Sequence, residues 1–186
     1  MAMRTGATLV LPVSARDHID GPAYAPVTLL EYGDYECPYC GQAYVILQEL
    51  EEVLGEQLRV VFRHFPLATI HPHAQPAAEA AEAAGAQGQF WEMHGMLFEN
   101  QQALEDEDLY EYAADLGLEI ERFSLDMVEH RHAERIREDI VSGIRSGVNG
   151  TPTFFINDVR YDGAYDANSL GAAIAMAVAG KRRATP

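Results

Sequence analysis

Two cysteines separated by two residues, Cys37-Pro38-Tyr39-Cys40, constrain this chain more than any other stretch. They are its only cysteines, so no disulfide framework can hold the fold, and the pair is chemical or metal-binding before it is structural. Before it runs Ala25-Pro26-Val27-Thr28-Leu29-Leu30-Glu31-Tyr32, nearly continuous in apolar character, as a strand buried on both faces reads. Gly33-Asp34-Tyr35-Glu36 turns the chain. After the pair, Ala43, Ile46, Leu47, Leu50, Val53 and Leu54 recur at helical spacing. Pro38 suits the first helical turn and Gly55 the C-terminal stop. The spacing therefore puts Cys37 at a strand-to-helix junction, where backbone N–H groups and the helix dipole stabilise an anion. Such a thiol titrates at roughly 3.5 to 7.5, against about 8.5 for a free one. Cys37 reads as the exposed nucleophile and Cys40, pointing inward, as the resolving thiol.

The rest of the chain gives this junction a setting. Leu58-Arg59-Val60-Val61-Phe62-Arg63 reads as a second strand, making a right-handed βαβ unit with parallel strands. From about His73 to Gly147 the pattern is helical throughout. An alanine stripe over 74–84 places Glu79 and Glu82 outside, and four further apolar stripes follow. Thr153-Phe154-Phe155-Ile156 and Val159-Arg160-Tyr161 read as a hairpin turned at Asn157-Asp158. Asp166 caps a last helix that ends in Lys181-Arg182-Arg183, where cations favour a helix C-terminus. The order is βαβ, five or so helices, then ββα.

Composition narrows the function. Thirteen Lys and Arg against 29 Asp and Glu give a net charge of −16, which disfavours nucleic acid and anionic membrane surfaces. Lys181 is the only lysine, so Schiff-base chemistry has almost no candidate. No apolar run approaches the ~20 residues that span a bilayer. Met1-Ala2-Met3-Arg4 starts faintly like a signal peptide, but the stretch Ala7 to Val13 is short and broken by Pro12. A reducing cytoplasm is the compartment this predicts.

Other readings of the pair stay open: half of a zinc site, which needs two further ligands, or two unconnected surface thiols. His71 and His73, then His130 and His132, do not share helix faces two by two, and turn positions explain them better than metal binding. Pro152, in Gly150-Thr151-Pro152, begins a strand; a cis bond there would expose the Thr151 backbone to an incoming peptide. Glu31 lies in an apolar strand six residues before Cys37. Burial raises the pKa of such a carboxyl, which either relays the Cys40 proton or holds a loop beside a wet cavity.

Residues 27–40, Phe62-Arg63-His64-Phe65-Pro66-Leu67, His71-Pro72-His73-Ala74, Gln87-Gly88-Gln89-Phe90-Trp91 and Gly150-Thr151-Pro152-Thr153-Phe154 together resemble the DsbA-like thiol–disulfide oxidoreductases of the thioredoxin superfamily. The resemblance covers roughly residues 17 to 180. It implies an α/β, thioredoxin-like fold with a central mixed β-sheet over residues 1–66 and 148–186, and an inserted helical domain over 67–147. It implies Cys37 as nucleophile, Cys40 as resolving thiol, Glu31 as the buried acid, and Pro38, Tyr39, Thr151 and the cis-proline Pro152 as the substrate-binding surface. No cofactor and no metal are implied. Pro38-Tyr39 is more like glutaredoxins than the strongly oxidising exported enzymes, since Tyr39 adds no positive charge beside the thiolate. The N-terminus is more like the cytoplasmic, FrnE-type branch.

The expected activity is dithiol–disulfide exchange on protein or small thiol substrates, with a thioredoxin- or glutathione-type redox partner, no nucleic acid and no membrane. The alternatives are a metal-binding or chaperone-like module on the same scaffold, and a kappa-type glutathione transferase or isomerase. Cys40 counts against the last, because serine usually stands in that motif.

Overall fold

The structure, a computed structural model, describes residues 7–184. The start of the expected signal-like segment and the side chains of Arg182 and Arg183 lie outside the described residues. Among the described residues five strands form one mixed sheet in the order β1-β3-β2-β4-β5. They are β1 (His18–Asp20), β2 (Val27–Gly33), β3 (Leu58–His64), β4 (Thr153–Ile156) and β5 (Val159–Tyr161). β2 and β3 pair in parallel, from Val27 opposite Leu58 to Gly33 opposite His64, and the other pairings are antiparallel. Helix α1 (Pro38–Leu54) makes the crossover from β2 to β3. Between β3 and β4 come α2 (Ala74–Gly85), α3 (Phe90–Glu99), α4 (Asp106–Asp115), α5 (Ile120–Val128) and α6 (Ala133–Arg145); α7 (Ala167–Ala184) follows β5. This is the α/β, thioredoxin-like architecture expected from the sequence.

Alternation along the central strands decides what each face buries. Val27, Leu29, Val60 and Phe154 pack with Ala43, Leu47 and Leu50 of α1 and Leu170 and Ile174 of α7. Leu30, Tyr32, Val61 and Phe155 pack on the opposite face with Phe65, Val148 and Ile140 of α6. Glu31, two residues after Leu29, therefore faces α1. A third cluster joins α2 to α5 and reaches Tyr35, Cys37, Cys40 and Phe62.

Local signals behave as their chemistry requires. Cys37 is the N-cap of α1, Pro38 starts it, and Gly55 ends it at φ 48°. Asn157 and Asp158 both take positive φ in the two-residue hairpin turn, as a primed turn demands. Asp166 accepts hydrogen bonds from the N–H groups of Asn168 and Ser169 at 3.1 and 3.0 Å, capping α7.

Two features depart from the sequence reading. The edge strand β1 was not expected: three residues are too short for a period, and pairing with β3 defines it. Glu79 and Glu82, expected outside the alanine stripe, are buried at 4% and 7% exposure. Helix α2 is enclosed on every side, so its acids are paired inside. Glu82 Oε1 accepts from His18 Nε2 and His64 Nε2, both at 2.9 Å. Glu79 accepts from Gln75 at 2.9 Å and pairs with His130 at 2.8 Å.

Candidate functional site

The site forms where β2 hands over to α1. The turn is fixed by Asp34, whose Oδ1 accepts the Glu36 N–H at 2.9 Å. Its Oδ2 accepts the Leu67 N–H at 2.8 Å and meets His71 Nδ1 at 2.8 Å. His71 thus helps pin the turn. The N–H groups of Cys40 and Gly41 donate to the Cys37 carbonyl at 3.0 and 3.1 Å, closing the first turn of α1 around the nucleophile.

Cys37 and Cys40 are free thiols within hydrogen-bonding reach of one another. The Cys40 thiol, donating to the Cys37 sulfur, is the largest influence on Cys37. Burial opposes it, while the Thr151 side chain and the backbone N–H groups of Cys40 and Tyr39 add to it. The balance holds the Cys37 thiol down at about 5. At neutral pH it is a thiolate, the form that attacks disulfides. Cys40 behaves oppositely. Burial, then its bond to Cys37 and the Glu31 charge, push its thiol well above the ordinary value.

Cys37 is not the exposed thiol that its position at the helix start predicts: 3% of its surface is accessible, and Cys40 has none. The Cys37 thiol is recessed against the Thr151 carbonyl at 3.5 Å, and the Thr151–Pro152 peptide bond is cis. On the other side Gln101 Nε2 donates to the carbonyls of Tyr35 and Cys37 at 2.7 and 2.9 Å. A Cβ on Gly41 would collide with the Gln101 amide, so glycine is what lets this clamp close on the helix start. Sequence periodicity missed Gln101 because it lies in a loop 64 residues from its partner. The accessible rim consists of residues that were expected to meet substrate: Pro38 and Tyr39 are exposed, Tyr39 at 58%, and Thr151 and Pro152 are half-buried. Next to Pro38 a cavity of about 360 Å³ is lined by Glu36, His71, His73, Gln101 and Glu105. His73 bridges Glu36 at 2.9 Å and Glu105 at 3.2 Å.

Glu31 lies beneath the thiols, 2% exposed. Burial first, and the Cys37 charge second, push its carboxyl up to about 8, with the Cys40 thiol as a hydrogen-bond donor opposing them. Its Oε1 has no hydrogen-bond partner. His94, which the sequence did not single out, lies nearby with Nδ1 3.0 Å from the Tyr35 hydroxyl. Burial, reinforced by His64 and His18, keeps it neutral by lowering its pKa to about 3.

Among the described residues, His18, His64 and Glu82 bring their ligand atoms within 4.8 Å of one another. Glu82 Oε1 already accepts both ring N–H groups at 2.9 Å, and Arg135 Nε stands 4.0 Å from the same oxygen. A resident cation there would meet the guanidinium and break both bonds, so the group works as a hydrogen-bonded hub joining β1, β3 and α2.

The buried Thr151 hydroxyl has no hydrogen-bond partner, which leaves it free to turn toward the Cys37 sulfur, and its side chain helps hold that thiol down. Thr151→Val removes a donor to the thiolate and is expected to raise the pH midpoint of Cys37 ionisation by about 1 unit, read from thiolate absorbance. An unchanged midpoint would show that the hydroxyl does not act on the sulfur.

The family model described as thioredoxin matches residues 14–176. A thioredoxin-like oxidoreductase from Silicibacter pomeroyi is 26% identical, superposes with a TM-score of 0.77, and is covered over 94% of its chain by 91% of this one. Oxidised BdbD from Bacillus subtilis superposes with a TM-score of 0.81 at 22% identity, over 94% of this chain and 99% of that one. Among curated proteins, a Na(+)/H(+) antiporter NhaA 1 of Salinispora arenicola is 50% identical over 175 residues. The match takes in 94% of this chain and 27% of the relative, so the chain spans about a quarter of the length of that protein. Among the described residues no helix is long and apolar enough to cross a membrane.

Proposed function

The chain belongs to the thioredoxin family, and from that premise we propose that it is a DsbA-like thiol–disulfide oxidoreductase working through Cys37 and Cys40. The observation that carries this reading is the opposed tuning of the two sulfurs, one held near 5 at a helix start, the other raised by burial above a carboxyl. In the reducing direction the Cys37 thiolate attacks a substrate disulfide, one sulfur leaves, and a mixed disulfide forms. With the Cys37 charge consumed in the mixed disulfide, Glu31 releases its proton more readily, and the resulting carboxylate takes the proton of the Cys40 thiol. The Cys40 thiolate then attacks Cys37, the intramolecular disulfide closes, and the second substrate thiolate leaves. Two electrons pass from the dithiol to the substrate, and the oxidising direction reverses each step.

Pro38, Tyr39, Thr151 and Pro152 form the surface on which a peptide or small thiol would lie, with the Thr151 backbone offering it strand-like pairing. Residues 67–147 would then be an insertion that walls one side of the cleft, through Gln101 and α3. This chain spans about a quarter of the antiporter relative, and the proposed exchange chemistry belongs to the shared segment alone.

Equilibration of the Cys37/Cys40 couple with glutathione buffers, read by thiol alkylation, tests the proposal. A single two-electron transition is expected. A value near the glutathione poise would fit the cytoplasmic, FrnE-type assignment, and a much higher one an oxidase. Failure of the two sulfurs to form one reversible disulfide would overturn the reading.

A further inference from the structure

Glu31 is enclosed, yet a proton it takes from Cys40 must leave before the next turnover. Its unpartnered Oε1 is the kind of buried polar atom that needs water or a proton donor. Glu31 also lines a cavity of about 130 Å³, which has room for several waters. The wall of this cavity along α1 is Tyr44, Leu47, Gln48 and Glu51, whose spacing of three, four and seven residues puts them on one helix face. His94 closes it from α3, and Asp20 of β1 stands at the exposed end with Gln48 and the half-buried Glu51.

We propose that Glu51 is the proton-exchange carboxyl at the mouth of this cavity, passing protons between solvent and the buried Glu31 during closure and opening of the Cys37–Cys40 disulfide. This rests on the dithiol reading above. The titratable groups around Glu31 are few. Cys37, Cys40 and Tyr35 lie at the start of α1, Tyr44 and Glu51 along it, His94 on α3, Asp20 on β1 and Tyr165 just before α7, with His18, His64 and Glu82 packed behind His94. His94 is held neutral and hydrogen-bonded to Tyr35, so it does not carry the proton out. Asp20 turns its carboxylate to the Gly21 N–H at 2.7 Å. Glu51 is pushed up to about 7 by partial burial and then by the Asp20 charge, close to the value of about 8 at Glu31. Transfer between two acids so matched is nearly thermoneutral. The step balances without a further reactant: Glu31 releases the proton received from Cys40, Glu51 accepts it through cavity water, and bulk solvent takes it from Glu51.

Reaction of the reduced protein with the aromatic disulfide 5,5′-dithiobis(2-nitrobenzoate) separates the steps. The first thiolate released reports attack by Cys37, and the second reports attack by Cys40 on the mixed disulfide. In dilute buffer at pH 7, Glu51→Gln is expected to leave the first phase unchanged and to slow the second about tenfold. Glu51→Asp should recover most of that rate, as should added imidazole buffer. Glu52→Gln, exposed and outside the cavity, should match the parent in both phases. A second phase in Glu51→Gln with the parent rate and pH profile overturns the inference. Absence of either phase in the parent protein overturns the dithiol reading itself, and this inference with it.

Discussion

Cys37→Ser brings disulfide exchange down to the uncatalysed rate, a loss of at least about 10³-fold, while Cys40→Ser stalls with substrate attached. The asymmetry follows from geometry. Cys37 is the sulfur whose charge is stabilised at the helix start, and the Thr151 side chain adds to that support. Serine in its place is a weak nucleophile and cannot form the mixed disulfide. Cys40 has no accessible surface, so it reaches a substrate sulfur only after Cys37 has fixed one beside it. Mass spectrometry of Cys40→Ser after reaction with an oxidised peptide should show a one-to-one adduct on Cys37. Full exchange by Cys37→Ser, or adducts on Cys40 in that variant, would reverse the assignment.

Glu31→Gln should cut resolution of the mixed disulfide by roughly 10²-fold or more, the usual weight of a positioned acid–base group. The first attack by Cys37 should remain intact. It should also change stability. The folded-state pKa of Glu31 is raised to about 8 from an unfolded value near 4.5. Between these values the native protein holds a proton that the unfolded chain has released, so stability falls as pH rises through this window. The full penalty, on the order of several kcal/mol, is present above about pH 8. Cys37 contributes the opposite slope. Its folded pKa is lowered to about 5 from 9, so the reduced protein gains stability as pH rises between these values. The two slopes nearly cancel from about pH 5 to 8 in the reduced parent protein. Glu31→Gln removes one of them, and its reduced form should become steadily more stable than the parent across that range in denaturant titrations. Parallel pH profiles for the two proteins would show that Glu31 is ionised in both states.

Much of this architecture was legible because it is local. Strand β2, helix α1 and strand β3 follow from period, Pro38 and Gly55, and the hairpin turn follows from Asn157-Asp158. Cys37, Cys40, Glu31, Thr151 and Pro152, though drawn from two ends of the chain, lie together, because the parallel βαβ unit and the antiparallel β4 leave little choice of topology. What was not legible depends on distant partners. The short β1 exists through β3, and Glu82 looked exposed until His18 and His64 were seen to face it across 64 and 18 residues. The recess of Cys37 comes from Gln101 and Thr151, neither near it in sequence. A buried acid at Glu31 was visible in an apolar strand, but its route to solvent required α1, α3 and β1 to be placed together.

The helix start and the hydrogen bonds around Cys37 hold its thiol strongly acidic while Cys40 stays protonated. Thiolate absorbance of the reduced protein as a function of pH, compared with Cys37→Ser, measures this directly. One sulfur titrating with a midpoint near 5, and lost in Cys37→Ser, is the predicted result. A midpoint for Cys37 near the free-thiol value of about 8.5 would contradict the account.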